Sequence, residues 1–235
     1  MSQKKFFVEG VGELVITKKR KVKRINLRVA QNSIKITQPF WLPYASGVGF
    51  AVKNRQWITK QQYLAPKCTI KDGQKVGKEH IVRIKKAKRL FTVVKNSEIT
   101  IYLPTDKKLR DKDVIEVYKS AIKKALKIEA TKHLPPRLHK MAELYGYGYH
   151  YSIVKIAALR SRWGSCNNKG SITLSSYLMA GDWELIDYVI AHELAHTHYM
   201  HHKKEFWSAV AEMIPDFKER QKKLKVLQKQ ISQLY

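Results

Sequence analysis

Two hydrophobic periods divide this chain, and the change from one to the other constrains its fold more than any other feature. Up to about residue 105, apolar side chains recur at every second position in short runs. Ser33-Ile-Lys-Ile-Thr37 alternates cleanly, and residues 12–17 and 24–29 do so in part. Residues 69–70, 80–84, 90–94 and 98–103 continue the strand pattern, with Asp72-Gly73 and Asn96-Ser97 as turns. One helix, predicted over 44–62, interrupts them. Beyond Pro104 the spacing becomes three and four. A helix is predicted over about 111–133, stopped by Pro135-Pro136, with a short one following to Leu144. Strands at 149–156 and 171–175 precede helices at about 182–200, 203–214 and 216–234. The expected class is α+β, with a basic β-rich region over 1–105 and an α-rich domain with a small sheet over 106–235. No internal repeat stands out.

The charge follows the same division. The 235 residues carry 46 Lys and Arg against 19 Asp and Glu, a net of +27. Residues 1–150 hold 34 basic and 11 acidic side chains (+23), whereas residues 151–235 hold 12 and 8 (+4). Such an excess attracts polyanions, because each neutralised phosphate releases counterions. Nucleic acid is therefore an expected partner of the basic half, and a merely solvated lysine-rich face is the plainer alternative. With 44 % hydrophobic residues the chain can bury a core. No apolar run approaches the ~18 residues of a membrane span. The N-terminus lacks the apolar stretch of a secretion signal. Cys68 and Cys166 are too few for a disulfide framework. A cytoplasmic location away from membranes is expected.

The helix predicted from Asp182 contains His192-Glu193-Leu194-Ala195-His196. Histidines four apart lie about 40° from each other around a helix, so both imidazoles reach one metal ion. Glu193, one step on, is turned to meet a water. Ile186, Val189 and Ile190 precede the motif at helical spacing, so these polar groups continue an inward apolar face. Burying them there is costly unless a metal binds them. A catalytic zinc takes three protein ligands and keeps one position open. Candidates for the third are His198, His201, His202, Glu205 and Glu212. On an unbroken helix His202 would lie about 80° from His192. Termination near Tyr199 or Met200 lets the chain turn and bring it back. Glu212, on the next helix, is the alternative, and His198 and His201 read as surface positions.

His192-Glu-Leu-Ala-His196 followed by His202-Lys-Lys-Glu-Phe-Trp207 resembles the YgjP-like metallopeptidase family, itself distantly similar to SprT-type zincins. Arg162-Trp-Gly-Ser-Cys166 with the Gly-Ser-Ile-Thr-Leu segment after it is similar to a second family motif. Pro135-Pro136-Arg137 and Lys21-Val-Lys-Arg-Ile-Asn-Leu-Arg28 also fit, so the resemblance spans roughly residues 15 to 225. His201 stands where the family often has asparagine. The resemblance implies a zincin-like domain in which His192, His196 and His202 bind Zn2+ and Glu193 is catalytic, acting on a protein or peptide. Glu193 would take a proton from water as general base and return it to the leaving amine.

Substrate in such enzymes lies along an edge strand. The 171–175 strand, with Ser171 and Thr173, is the candidate because it immediately precedes the motif helix. Arg160 and Arg162 are candidates to orient substrate or steady an oxyanion, and equally to lock the turn around a buried Trp163. Cys166, Phe206 and Trp207 read as structural. Two other functions compete with the peptidase. One is a metal-dependent nucleotide pyrophosphatase, an activity attributed to a member of the family; no glycine-rich phosphate cradle supports it. The other is a nucleic-acid-binding protein with a structural zinc, which would have no need of Glu193.

Overall fold

The computed structural model of the chain describes residues 2–30, 33–64, 69–147 and 150–234. It is α+β, with three small sheets. Contacts divide it into Met1–Lys67 and Cys68–Tyr235. This division falls earlier than position 105 because the strands between residues 75 and 103 share one core with the helix that follows them.

The first unit contains β1 (Ser2–Val8), β2 (Gly12–Lys19), β3 (Asn26–Ala30) and β4 (Ser33–Pro39), in the order β1-β2-β4-β3. Its alternating residues Leu14, Ile16, Ile34 and Ile36 are fully buried with Ala51 and Ile58 of two following helices. These are α1 (Tyr44–Lys53) and α2 (Arg55–Leu64), where the sequence predicts a single helix. The break is made by Asn54, whose side-chain amide donates to the Phe50 carbonyl at 2.8 Å and caps α1.

The second unit opens with β5 (Lys75–Val76), β6 (His80–Lys86), β7 (Phe91–Lys95) and β8 (Glu98–Leu103), ordered β5-β6-β8-β7. Asn96 and Ser97 both adopt positive φ in the β7–β8 turn, as a tight hairpin requires. The connectivity of the first sheet is repeated in full. In each, two antiparallel hairpins are joined through a parallel central pair, β2 with β4 and β6 with β8. The repeat absent from the sequence is thus present in the architecture.

Helix α3 (Lys112–Leu144) then runs for 33 residues, through Pro135 and Pro136 where a stop is expected. The carbonyls that lose their donors belong to Thr131 and Lys132, both exposed to water. Leu134 and Leu138 on either side are fully buried, so core packing carries the helix across. Glu129 of α3 is also fully buried, yet satisfied. Its carboxylate accepts from the backbone amides of Lys78, Glu79 and His80 at 2.7, 3.0 and 3.1 Å, and pairs with His80 Nδ1 at 2.6 Å.

The remaining elements are β9 (Ile153–Ala157), β10 (Gly164–Cys166) and β11 (Ser171–Ser175), a 3-10 turn (Ser176–Ala180), and α4 (Trp183–Ala195), α5 (Lys204–Met213) and α6 (Phe217–Leu234). Arg137 of α3 binds both carboxylate oxygens of Asp187 on α4 and lies 4.8 Å from the Trp183 ring. No described helix is long and apolar enough to cross a membrane. Cys166 carries a free thiol, and Cys68 lies outside the described residues.

Candidate metal centre

Helix α4 is apolar around most of its circumference, with Leu185, Ile186, Val189, Ile190 and Leu194 buried. A helix of that kind belongs in the interior, and it carries the polar motif inward. It ends one turn earlier than the sequence suggests, at Ala195. Thr197 Oγ1 donates to the Leu194 carbonyl at 2.7 Å, and the Tyr199 amide to that of Ala195 at 2.9 Å. The chain turns there, and the segment leading into α5 returns His202 to α4.

The result is a cluster of His192, His196 and His202 whose ligand atoms all lie within 4.8 Å of one another. His202 Nε2 stands 3.2 Å from His192 Nε2. Among the described residues neither His201 nor Glu212 joins this group. His196 Nδ1 lies 3.0 Å from the Tyr199 carbonyl, which can only accept. The proton is therefore on Nδ1, and the lone pair of Nε2 is left for a metal. Burial pushes His192 down to about 3, and the neighbouring imidazoles of His196 and His202 add to the effect. Burial, opposed by the Tyr199 carbonyl, also lowers His196. Three imidazoles whose ligand atoms converge in this way form a donor set that suits zinc.

Phe206 is the floor of this cluster. It is fully buried, and its ring centroid is 4.9, 4.6 and 4.6 Å from those of His192, His196 and His202. Trp207 stacks on His202 at 5.6 Å and on Phe217 at 5.3 Å. These two residues, which read as plain core, also fix the imidazole planes.

Glu193 is 5 % exposed, and its Oε2 has no hydrogen-bond partner. Burial pushes the carboxyl up to about 8, against the opposing pull of the Arg162 guanidinium. It lies against Gly164 of β10. A Cβ at that glycine would stand 2.5 Å from Oε1 and 2.7 Å from Cδ and Cγ. Gly164 therefore makes room for the carboxylate, a role the sequence does not reveal. Trp163 beside it is buried, and Cys166 is pushed up to about 11 by burial and by the Glu193 charge.

The other sequence candidates separate. Arg162 is the arginine whose charge acts on Glu193. Arg160 lies on the wall of a cavity of about 260 Å³ with Lys119, Ser120 and Lys123. Ser171 and Thr173 are on β11, which is not an edge. The order is β10-β11-β9, so β11 is paired on both sides and the strands with an open side are β9 and β10, of which β10 lies against Glu193 through Gly164. The expectation of a substrate strand at residues 171–175 is corrected accordingly, because its backbone groups are already engaged.

Three imidazoles converging beside a buried glutamate define a metal-dependent hydrolase. The chain belongs to the YgjP-like family, whose metallopeptidase domain matches residues 23–227. Among solved structures it is similar to the metallopeptidase zymogen abylysin of Pyrococcus abyssi, with 25 % identity and a TM-score of 0.36 over 40 % of this chain and 92 % of that one. For the zymogen of jannalysin from Methanocaldococcus jannaschii the values are 21 %, 0.34, 41 % and 95 %. No curated protein matches the chain.

Proposed function

We propose that the protein is a zinc-dependent peptidase in which His192, His196 and His202 hold the metal and Glu193 is the general base. The observation that carries this reading is the juxtaposition of the three-imidazole cluster, its Nε2 lone pairs freed on the His196 side by the Tyr199 carbonyl, with a buried and unpartnered carboxylate on the same helix. Zinc, when bound, supplies Lewis-acid polarisation of a carbonyl and acidifies a water. Glu193 takes the proton from the attacking water and delivers it to the leaving amine nitrogen. A carboxyl whose pKa is raised by desolvation is suited to both halves of that exchange near neutral pH. Arg162 keeps part of the opposing charge close. An extended substrate pairs with the open side of β10 through main-chain hydrogen bonds.

The charge of the first unit supports recruitment to nucleic acid. It holds 14 basic and 2 acidic side chains, and an electrostatic surface of that kind raises the local concentration of substrates bound to a polyanion. The test is cleavage of an unstructured protein by the zinc-loaded chain, with and without single-stranded DNA, beside Glu193→Gln. Cleavage by the wild type alone is expected. Stoichiometric zinc without cleavage, together with pyrophosphate release from nucleoside triphosphates, would overturn the peptidase reading.

A further inference from the structure

We infer that single-stranded nucleic acid is held at two equivalent places, the β2–β3 connection of the first sheet and the β6–β7 connection of the second. The inference rests on the recruitment reading above and names the surfaces that perform it. In both sheets the two central strands run parallel, so the connection leaving the earlier one emerges at the same sheet end as the end of the later one. The sequence concentrates cations at that end in each. Lys18-Lys19-Arg20-Lys21-Val22-Lys23-Arg24 places six in seven residues across the end of β2 and the connection after it, and Lys85-Lys86-Ala87-Lys88-Arg89 four in five across the end of β6 and its connection. None of these ten has an acidic partner among the described residues. In the first sheet Arg28 and Lys35 also sit directly opposite each other across β3 and β4, a like-charge pair that disfavours the sheet and favours an anion.

Each basic end carries an aromatic pair. Phe40 and Trp41 follow β4 directly, 52 % and 57 % exposed, with rings edge to face at 5.3 Å. In the second sheet Phe91, which opens β7 and is 45 % exposed, stacks on Tyr102 of β8 at 4.2 Å and 8°. Lys85 is the strand partner of Tyr102, so the three side chains share one face of that sheet. Exposed aromatic rings beside unpaired cations suit a strand whose bases are unstacked, because each base presents a π-face while the backbone meets the charges. A duplex presents phosphates but no free bases. The pairing of rings with cations therefore selects the single strand.

The test is fluorescence anisotropy of a labelled 20-nucleotide oligo(dT) and of a duplex of equal length, titrated with the full chain between 50 and 200 mM salt. Four variants are compared, each checked for a wild-type melting temperature. They are the first loop (Lys19, Arg20, Lys21, Lys23 and Arg24 to Gln), the second loop (Lys85, Lys86, Lys88 and Arg89 to Gln), the rings (Trp41→Ala with Phe91→Ala), and a control removing five exposed lysines elsewhere (Lys124, Lys127, Lys218, Lys222 and Lys225 to Gln). Each loop variant is expected to weaken oligo(dT) binding at least tenfold and to reduce the log–log salt slope by about 2, at ~0.7 per lost phosphate contact. The ring variant is expected to lose about fivefold or more on oligo(dT) with its salt slope unchanged, and nothing on the duplex. The control is expected to stay within twofold of wild type. Equal losses in control and loop variants, with wild-type binding intact, would overturn this inference and leave recruitment by diffuse charge standing. No oligo(dT) binding by the wild type at 50 mM salt would overturn both.

Discussion

Replacing Gly164 by alanine adds one methyl group at the point where β10 meets the Glu193 carboxylate. The new Cβ would stand 2.5 Å from Glu193 Oε1 and 2.7 Å from its Cδ and Cγ, so the side chain must retreat by about 0.7 to 0.9 Å to regain the 3.4 Å of ordinary contact. Gly164 does not occupy the left-handed region of φ, so alanine strains no backbone there and the effect is confined to the carboxyl. Overpacking of this size costs about 1–3 kcal/mol of stability, which a domain of this size tolerates. Misplacing a catalytic group by about 1 Å costs about 10²-fold in rate. Gly164→Ala is therefore expected to lower kcat about a hundredfold while the three imidazoles keep their zinc. The assay is turnover of an unstructured protein substrate, with zinc stoichiometry measured on the same samples. A variant with wild-type kcat would refute the placement of Glu193 against β10. Loss of zinc together with activity would refute the separation of metal holding from proton transfer.

His202→Ala is expected to lower zinc affinity by at least two orders of magnitude, whereas His201→Ala and Glu212→Ala leave it unchanged; competition with a chromogenic chelator reads all three. Stripping the metal is expected to lower Tm by roughly 8–16 °C in scanning calorimetry, since a ligand at a thousand times its Kd contributes about 4 kcal/mol and each kcal/mol moves Tm by about 2–4 °C. Glu129→Ala deprives three backbone amides and His80 of their acceptor in a fully buried position, and a loss of about 3–5 kcal/mol in urea unfolding is expected. With its thiol near 11, Cys166 is thiolate in only about one molecule per thousand at pH 8. Alkylation of its peptide in the folded protein, followed by mass spectrometry, is expected to accelerate about tenfold per pH unit above pH 8 and to level off only near pH 11. Rapid labelling at pH 8 would contradict that burial.

The three-histidine cluster is legible in the sequence because it is local. His192 and His196 need only a helix, and the return of His202 needs only that the helix stop. It stops where the amides of Thr197 and His198 bond three residues back, to the Leu194 and Ala195 carbonyls, with the Thr197 hydroxyl also on Leu194, so the sequence reading runs a turn too long. Gly164 and Glu129 act through partners 29 and at least 49 positions away, which no periodicity encodes. Pro135-Pro136 misleads for the converse reason, since a local rule yields to the burial of Leu134 and Leu138. The edge role given to residues 171–175 fails because strand order is a property of the sheet and not of any strand. The duplicated sheets escape detection because corresponding strands differ in length, seven residues in β1 against two in β5, and in sequence, while the hairpin pairing is the same.

The three imidazoles lie within eleven consecutive residues, His192 to His202, and their closure requires only one helix end and the turn after it. The entropy of closing so short a segment is small. The environment of Glu193 is assembled differently, from a β10–β11 hairpin encoded some thirty residues upstream and from the core beneath it. Metal holding and proton transfer, as proposed, thus draw on separate parts of the fold. The three imidazoles depend on the turn between α4 and α5, whereas the desolvation of Glu193 depends on the hairpin packed against it.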